Sequence, residues 1–410
     1  MPSSQQKNSI LENPQFMRLW AVGWMTGTMM WLELLVVALV ALELTGSPFL
    51  VSVMFFLRFV PMLFGFGIGV LAERFNRKYL MILGLAVQAG TSLWLGLLIT
   101  NDSLQYWQLA LGNFVIGAVM ASEFPIRRTM IGEVVPKTTV GRAISLEQST
   151  NSLFRIPGPF IGGVFLATIG AQGGFFLGVA LYSVGLLIAL SLKYERPASS
   201  NELVSPVTQV IEGVRYISKS QLMVGTLAVT LILNMFGFSY LSQQPVVVKQ
   251  VLEVGEVLIG VLQSVEGAGA FVGASLIAMY AQPRQYPHIF MWGSSLYLVA
   301  ILLFSQSEVY WLTLIIMFIG GIGMSGFATM QSAIMIYTSS PEMRGRALGS
   351  IAVFIGLGPF GQLGIGALAS VLDPATAVLI VSGIGIALMA VAFILIPAMR
   401  TSRSMKDTTA

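Results

Sequence analysis

Long apolar runs separated by short polar stretches organise the chain from end to end. A membrane-crossing helix needs roughly 20 predominantly apolar residues. Twelve runs meet that length, at 17–42, 49–72, 79–100, 104–124, 141–168, 174–193, 221–243, 256–280, 288–305, 309–334, 345–370 and 375–397. The pattern predicts an all-α integral membrane protein with twelve transmembrane helices. An even number of spans places both termini on one side of the bilayer.

One polar connection, 193–221, is much longer than the others and divides the spans into six and six. The predicted organisation is therefore a first bundle over 1–192, a linker over 193–220, a second bundle over 221–398 and a tail over 399–410. Within the linker, Val207, Val210, Ile211, Val214 and Ile217 recur near helical spacing, which predicts an amphipathic helix lying on the membrane surface. The bundles carry matching signals. Gly141-Arg142-Ala143 opens the fifth run and Gly345-Arg346-Ala347 the eleventh; Gly158-Pro159-Phe160 is matched by Gly358-Pro359-Phe360. A repeat of six helices in parallel is one known architecture of transporters.

Composition narrows the class. The chain is 55% hydrophobic and only 10% charged, against about 25% charged in a soluble domain. If the N-terminus is cytoplasmic, 19 of the 22 basic residues fall in cytoplasmic segments, while Lys249 lies outside and Arg58 and Arg155 lie within spans. That asymmetry obeys the positive-inside rule. It explains the net charge of +4 as topology, with no nucleic-acid partner. The polar first residues lack the short apolar core and cleavage site of a signal peptide, so the first run reads as an uncleaved span. With no cysteine and one histidine, His288, neither a metal site nor a catalytic triad is expected. No phosphate-binding loop is present. An enzyme is not expected, and neither is ATP as the energy source.

Two stretches carry a family resemblance. GVLAERFNRKY, 69–79, spends scarce charges in the loop after the second run and resembles the loop signature of the major facilitator superfamily, with Gly69, Glu73, Arg74, Arg77 and Lys78 at matching positions. Glu73 replaces the usual Asp, and Asn76 stands where Gly is usual. The resemblance implies a conformational latch in which Glu73 meets Arg74, Arg77 or Arg128; anchoring by positive charge alone is the plainer reading. FRIPGPFIGG, 154–163, resembles the Gly-Pro-x-x-Gly-Gly motif of antiporter branches, with Gly158, Pro159, Gly162 and Gly163 matching. Its physical content is close helix packing around a proline that removes a backbone donor. Further stretches at 13–20, 42–63 and 131–163 are similar to a subgroup of bacterial siderophore and macrolide exporters. The resemblance implies two pseudo-symmetric six-helix bundles, a multi-pass protein of the bacterial cytoplasmic membrane, a small-molecule substrate and a monomer.

Ionisable groups in hydrocarbon are costly and mark function or pairing. Glu33, Glu147 and Glu266 are candidate proton-coupling groups, because desolvation penalises the charged form of a carboxyl. Arg58 is a candidate counter-ion for Glu33. Glu147, Asn151 and Arg155 are spaced i, i+4, i+8, which predicts one polar stripe on one helix face, lining a cavity. Asn113, Asn234, Gln263, Gln331 and Gln362 complete the cavity candidates. Proton-coupled relatives often carry an arginine in the fourth span, where this chain has Asn113-Phe-Val-Ile-Gly117. The reading is a secondary transporter exporting a small amphipathic molecule by proton antiport, with no cofactor beyond the coupling proton. A proton-independent facilitator or importer remains open, as does a non-transporting sensor or scaffold.

Overall fold

A computed structural model of the chain describes residues 10–64, 75–136, 139–194, 215–340 and 343–399. Every regular element in it is helical. The first half contains α1 (Pro14–Thr45), α2 (Pro48–Phe59), α3 (Arg77–Thr100), α4 (Tyr106–Val134), α5 (Val140–Leu153), α6 (Pro157–Thr168) and α7 (Ala171–Leu190). The second contains α8 (Gln221–Ile232), α9 (Gln244–Gln250), α10 (Glu256–Tyr280), α11 (Tyr286–Ser305), α12 (Tyr310–Thr338), α13 (Arg344–Gly356), α14 (Gly358–Val371) and α15 (Pro374–Leu395). Among the described residues ten helical segments are long and apolar enough to cross a membrane, and Pro48–Leu63 and Pro157–Thr168 are shorter apolar helices. These account for the twelve runs.

Local chemistry sets the helix ends. The Asn13 side chain accepts from the Gln15 and Phe16 amides to open α1. Gly46 closes it in the left-handed region at φ 62°, followed by Ser47 as the cap of α2. Asn76 caps α3, Ser220 caps α8 and Asp373 caps α15.

Several spans depart from the expected single rods. The fifth is broken between α5 and α6 at Phe154–Ile156, just before Pro157. A proline has no backbone N–H to continue the ladder, and the turn before it closes on i, i+3 bonds, Arg155 N to Ser152 O at 3.3 Å and Ile156 N to Leu153 O at 3.0 Å. The eleventh breaks at the equivalent place, between α13 and α14 at Leu357, so the repeated Gly-Pro-Phe marks one break in each half. The seventh passes from α8 into a π turn, Leu233–Gly237, and a 3-10 turn, Phe238–Ser242. The fourth span is longer than its apolar run: α4 continues to Val134, beyond the charged stretch from Glu123 to Arg128. Of the predicted linker helix only 215–217 lies within the described residues, and it is helical. The tail beyond Met399 lies outside them.

The two halves meet along α2 with α14 and α6 with α10. Call the face bearing the start of α1 the near face and that bearing its end the far face. Toward the far face the halves are in tight contact. Ser52 and Ser242 share a hydrogen bond of 2.8 Å, and Gln243 Nε2 donates to Pro48 O at 3.0 Å and to Ser52 Oγ at 2.7 Å. Glycines allow backbone to touch backbone: a Cβ on Gly163 would lie 2.5 Å from the Glu256 carbonyl, and one on Gly260 would collide with that of Pro159. Below this seal, the halves enclose a cavity.

Candidate functional site

The central cavity has a volume of about 400 Å³. The first half lines it with Thr26, Met30 and Trp31 of α1, Arg58, Phe59 and Met62, Gln88 of α3, Met120, Ala121, Glu123, Phe124, Pro125 and Arg127 of α4, and Tyr182 of α7. The second half contributes Asn234, Phe238 and Leu241, then Ile355 and Gln362 on either side of the α13–α14 break. A second cavity of about 20 Å³ lies beyond Trp31 and Leu241, bordered by Arg155, Gln244, Gln263 and Glu266.

Three buried charge clusters surround these spaces. In the first, Arg58 Nη2 donates to Glu33 Oε2 at 2.7 Å, and Tyr182 OH donates to Glu33 Oε1 at 3.0 Å. Glu33 and Arg58 are 1% and 2% exposed, so each is the other's counter-charge in a buried site. Arg58, the candidate counter-ion of Glu33, is thus in contact with it. Glu33 stands behind Arg58 and Tyr182 and does not itself line the cavity.

In the second cluster, Arg155 reaches from the first half to Glu266 in the second, with Nη2 to Oε1 at 3.3 Å. Glu266 also accepts from Tyr240, from Tyr297 at 3.3 Å and from Gln244 at 3.4 Å. The Arg155 guanidinium lies 4.5 Å from the Trp31 ring centroid, a cation–π geometry. Gln263 borders the same small cavity.

The third cluster corrects the predicted stripe. The break at Phe154–Ile156 interrupts the helix between Glu147 and Arg155, so the i, i+8 relation fails. Glu147 instead accepts from Arg127 at 2.6 Å and from Arg128 at 3.2 Å, and Arg127 Nε also donates to Glu123 at 2.6 Å. Asn151 lies on α5, the same helix as Glu147, and Arg155 lies in the break. Neither Glu123 nor Arg127 is among the sequence candidates: Glu123 falls at the very end of the 104–124 run, and Arg127 falls beyond it in a segment read as a polar loop. Their i, i+4 spacing was a usable signal.

The remaining candidates divide. Asn234 and Gln362 line the cavity, with Asn234 Nδ2 donating to Thr230 O at 2.8 Å. Asn113 and Gln331 do not: Asn113 donates to Met54 O at 2.6 Å, and Gln331 to Thr230 Oγ1 at 2.6 Å. Both tie helices together. In the loop motif, Gly69, Glu73 and Arg74 lie outside the described residues. Arg77 pairs with Glu133 at 2.7 Å and donates to Tyr194 OH at 3.1 Å, while Lys78 donates to Leu192 O at 2.7 Å. Burial and the adjacent Glu133 raise the Tyr194 phenol above its ordinary range. Arg128 lies over Phe124 and binds Glu147 and Gln148. Among the described residues, Arg77 is thus paired with Glu133 and Arg128 with Glu147. The Gly-Pro-x-x-Gly-Gly motif packs as expected of small residues: Gly158 against Trp31, Gly162 against Leu32, Gly163 and Pro159 against α10.

Two helical halves around a central cavity, sealed on one face, define a membrane carrier of the major facilitator class. Solved structures agree with that fold. A bacterial homologue of the lysosomal transporter Spinster, in an inward-facing, unoccupied conformation, superposes with a TM-score of 0.68 at 15% identity, over 96% of this chain and 97% of that one. A POT family transporter in complex with a thioalcohol-conjugated peptide gives 0.75 at 12% identity, over 94% and 96%. A profile described as "transmembrane secretion effector" matches residues 7–409. The chain belongs to that family of major facilitator transporters, and it is not an enzyme. Among curated sequences, the uncharacterized MFS-type transporters YfiS and YkuC of Bacillus subtilis are 23% and 26% identical, over 60% and 45% of this chain. The matches span 59% and 43% of those relatives' lengths.

Proposed function

We propose that the protein is a secondary active exporter that moves small amphipathic organic molecules out of the cell by proton antiport and alternating access. In this reading it sits in the bacterial cytoplasmic membrane with both termini inside, and it works as a monomer. The observation that carries it is the cavity between the halves, walled by aromatic and Met side chains with few polar groups. That is the composition of a site for drug-sized ligands. The far-face seal and the buried carboxylates support the cycle, since a carrier must close one side while it loads at the other. Glu33 and Glu266 are the first candidates for coupling, and Arg77, Lys78 and Arg128 for the latch.

The test is transport of dyes, macrolides and siderophores into inside-out vesicles or proteoliposomes under an imposed proton gradient. Accumulation abolished by a protonophore, with proton movement opposite to cargo, supports antiport. The pairing of both Glu33 and Glu266 with arginine favours a second reading, in which they are structural and the protein is a facilitator. Gradient-independent equilibration of cargo would establish that reading and end the first.

A further inference from the structure

We propose that Glu123 is the carboxylate that recognises cargo, and that the cargo it selects is a lipophilic cation. The inference rests on the central cavity being the transport site. Four glutamates are buried within the described spans: Glu33, Glu123, Glu147 and Glu266. Only Glu123 lines the large cavity. Glu33 is screened by Arg58 and Tyr182, Glu147 is occupied by two arginines, and Glu266 borders only the small cavity and accepts from four side chains.

The pairing of Glu123 makes it exchangeable. Its one ion-pair partner among the described residues is Arg127, which meets Oε1 alone. Arg127 is held at the same time by Glu147. An incoming cation can take the place of Arg127 at Glu123 and leave Arg127 still neutralised, so no buried charge is stranded. Removing the sole partner of a buried ion is what normally makes such a displacement prohibitive.

The surroundings suit a cation. Arg58, the other basic group lining the cavity, is neutralised by Glu33. Phe59 and Phe238 present aromatic surface to the same space, and a cation is attracted to a ring face. Gln88 and Gln362 are 3% and 5% exposed, and each has an amide oxygen with no donor. Both line the cavity and can accept from cargo N–H groups.

Charge balance links this site to proton exchange. The groups facing Glu123 are Arg127 and Arg128 on its own helix, Glu147 on α5, and the Glu33–Arg58 pair with Tyr182. The ion-paired set Glu123, Arg127, Glu147 and Arg128 seen in the structure carries no net charge; in the proton-loaded form of the proposed cycle Glu123 is neutral, Arg127 is held by Glu147 alone, and the set carries one positive charge. When the cation binds the proton-loaded form, the Glu123 O–H bond breaks, its proton passes to cavity water, and the carboxylate pairs with the cation in the place that Arg127 takes when the site is empty. The site's charge is then the same before and after, one cation for one proton.

The test uses the full chain purified in detergent, with ethidium as the cationic probe and 8-anilinonaphthalene-1-sulfonate as an anionic one. Binding is read by fluorescence, and proton release by an indicator in weak buffer. Glu123→Gln is expected to weaken ethidium at least tenfold, abolish the released proton and leave the anion unaffected; Glu308→Gln, an exposed loop control, changes neither. If Glu123→Gln does not fold, Arg127→Gln tests the same point with opposite sign, because removing the competitor should tighten ethidium at least threefold. Ethidium binding unchanged in Glu123→Gln, or unchanged or weakened in Arg127→Gln, overturns the proposal. So does wild-type protein that binds and transports the anion but not ethidium, which leaves the transporter reading intact. Wild-type protein that binds neither probe and transports none of the dyes, macrolides and siderophores defeats both.

Discussion

Gly163→Ala should open the far face. Gly163 sits on α6 where the two halves touch, and a Cβ there would lie 2.5 Å from the Glu256 carbonyl of α10, when ordinary contact begins at 3.4 Å. The obstacle is backbone and cannot swing aside, so α6 and α10 must part by about 0.9 Å. Overpacking of this kind costs about 1–3 kcal/mol. The cost falls on the sealed arrangement alone, because the helices separate when the far face opens. A bias of that size changes the ratio of two states by about 5- to 150-fold. The chain contains no cysteine, so a single cysteine at Ser52, which is fully buried in the seal, reports opening directly. Its reaction with a membrane-impermeant maleimide should accelerate by that factor in Gly163→Ala. Gly90→Ala is the control, because its Cβ would meet nothing within 4 Å. An unchanged labelling rate in a folded Gly163→Ala protein, or equal acceleration by Gly90→Ala, would refute the reasoning.

Three further outcomes follow from the same geometry. The Ser52 and Ser242 hydroxyls are 2.8 Å apart, close to the roughly 2.05 Å of a disulfide, so the double cysteine variant should cross-link on oxidation. Transport should then stop and return with reductant; a fully cross-linked protein that still transports shows that the far face need not open. Glu33→Gln strips the counter-charge from the buried Arg58 and should cost about 3–5 kcal/mol in detergent unfolding, most of it recovered in the Glu33→Gln/Arg58→Met double variant. A loss below about 1 kcal/mol, the scale of hydrogen bonds within membranes, would mean that the pair is energetically idle. Hydrogen bonds from the Thr376 side chain and from the Thr376 amide, the latter at 2.9 Å, lower the Asp373 pKa below the ordinary value. Because the folded state prefers the ionised form, the cap's contribution is present at neutral pH and is lost as pH falls through the carboxylate range. Asp373→Ala should therefore be less stable by a few tenths to about 1 kcal/mol, given its exposure, with the deficit vanishing on acidification. A pH-independent deficit counts against the cap.

How much was legible depended on range. Span positions and the six-plus-six division follow from composition along the chain, and the helices lie where the apolar runs do. Pairings between helices are different, because they depend on the rotation of each rod about its axis. Glu33 and Arg58 could be named as candidates, but their 2.7 Å contact could not be derived from 25 residues of separation. The predicted stripe through Glu147 and Arg155 failed for a local reason that the sequence did contain. Pro157 ends the helical register before Arg155 reaches Glu147's face. Arg127 was missed because an apolar-run criterion ends the span at 124, just past Glu123, whereas α4 continues to Val134 by pairing its charges with one another and with Glu147 of α5.

The position of each ion pair relative to the two halves then separates static from movable charge. Glu33, Arg58 and Tyr182 all belong to the first half, so the halves can part without disturbing them. Arg155 and Glu266 belong to opposite halves, and their contact must lengthen whenever α6 moves from α10. Each has provision for that moment on its own side. Glu266 keeps Tyr240, Tyr297 and Gln244, all from the second half, and Arg155 keeps the face of Trp31 from the first. A carboxylate with three remaining donors loses one charge-assisted bond rather than all its solvation, which puts the cost of separation well under that of breaking an isolated buried pair. The contact between the halves is the longer of the two, 3.3 Å, and the Glu33–Arg58 contact within one half the shorter, 2.7 Å.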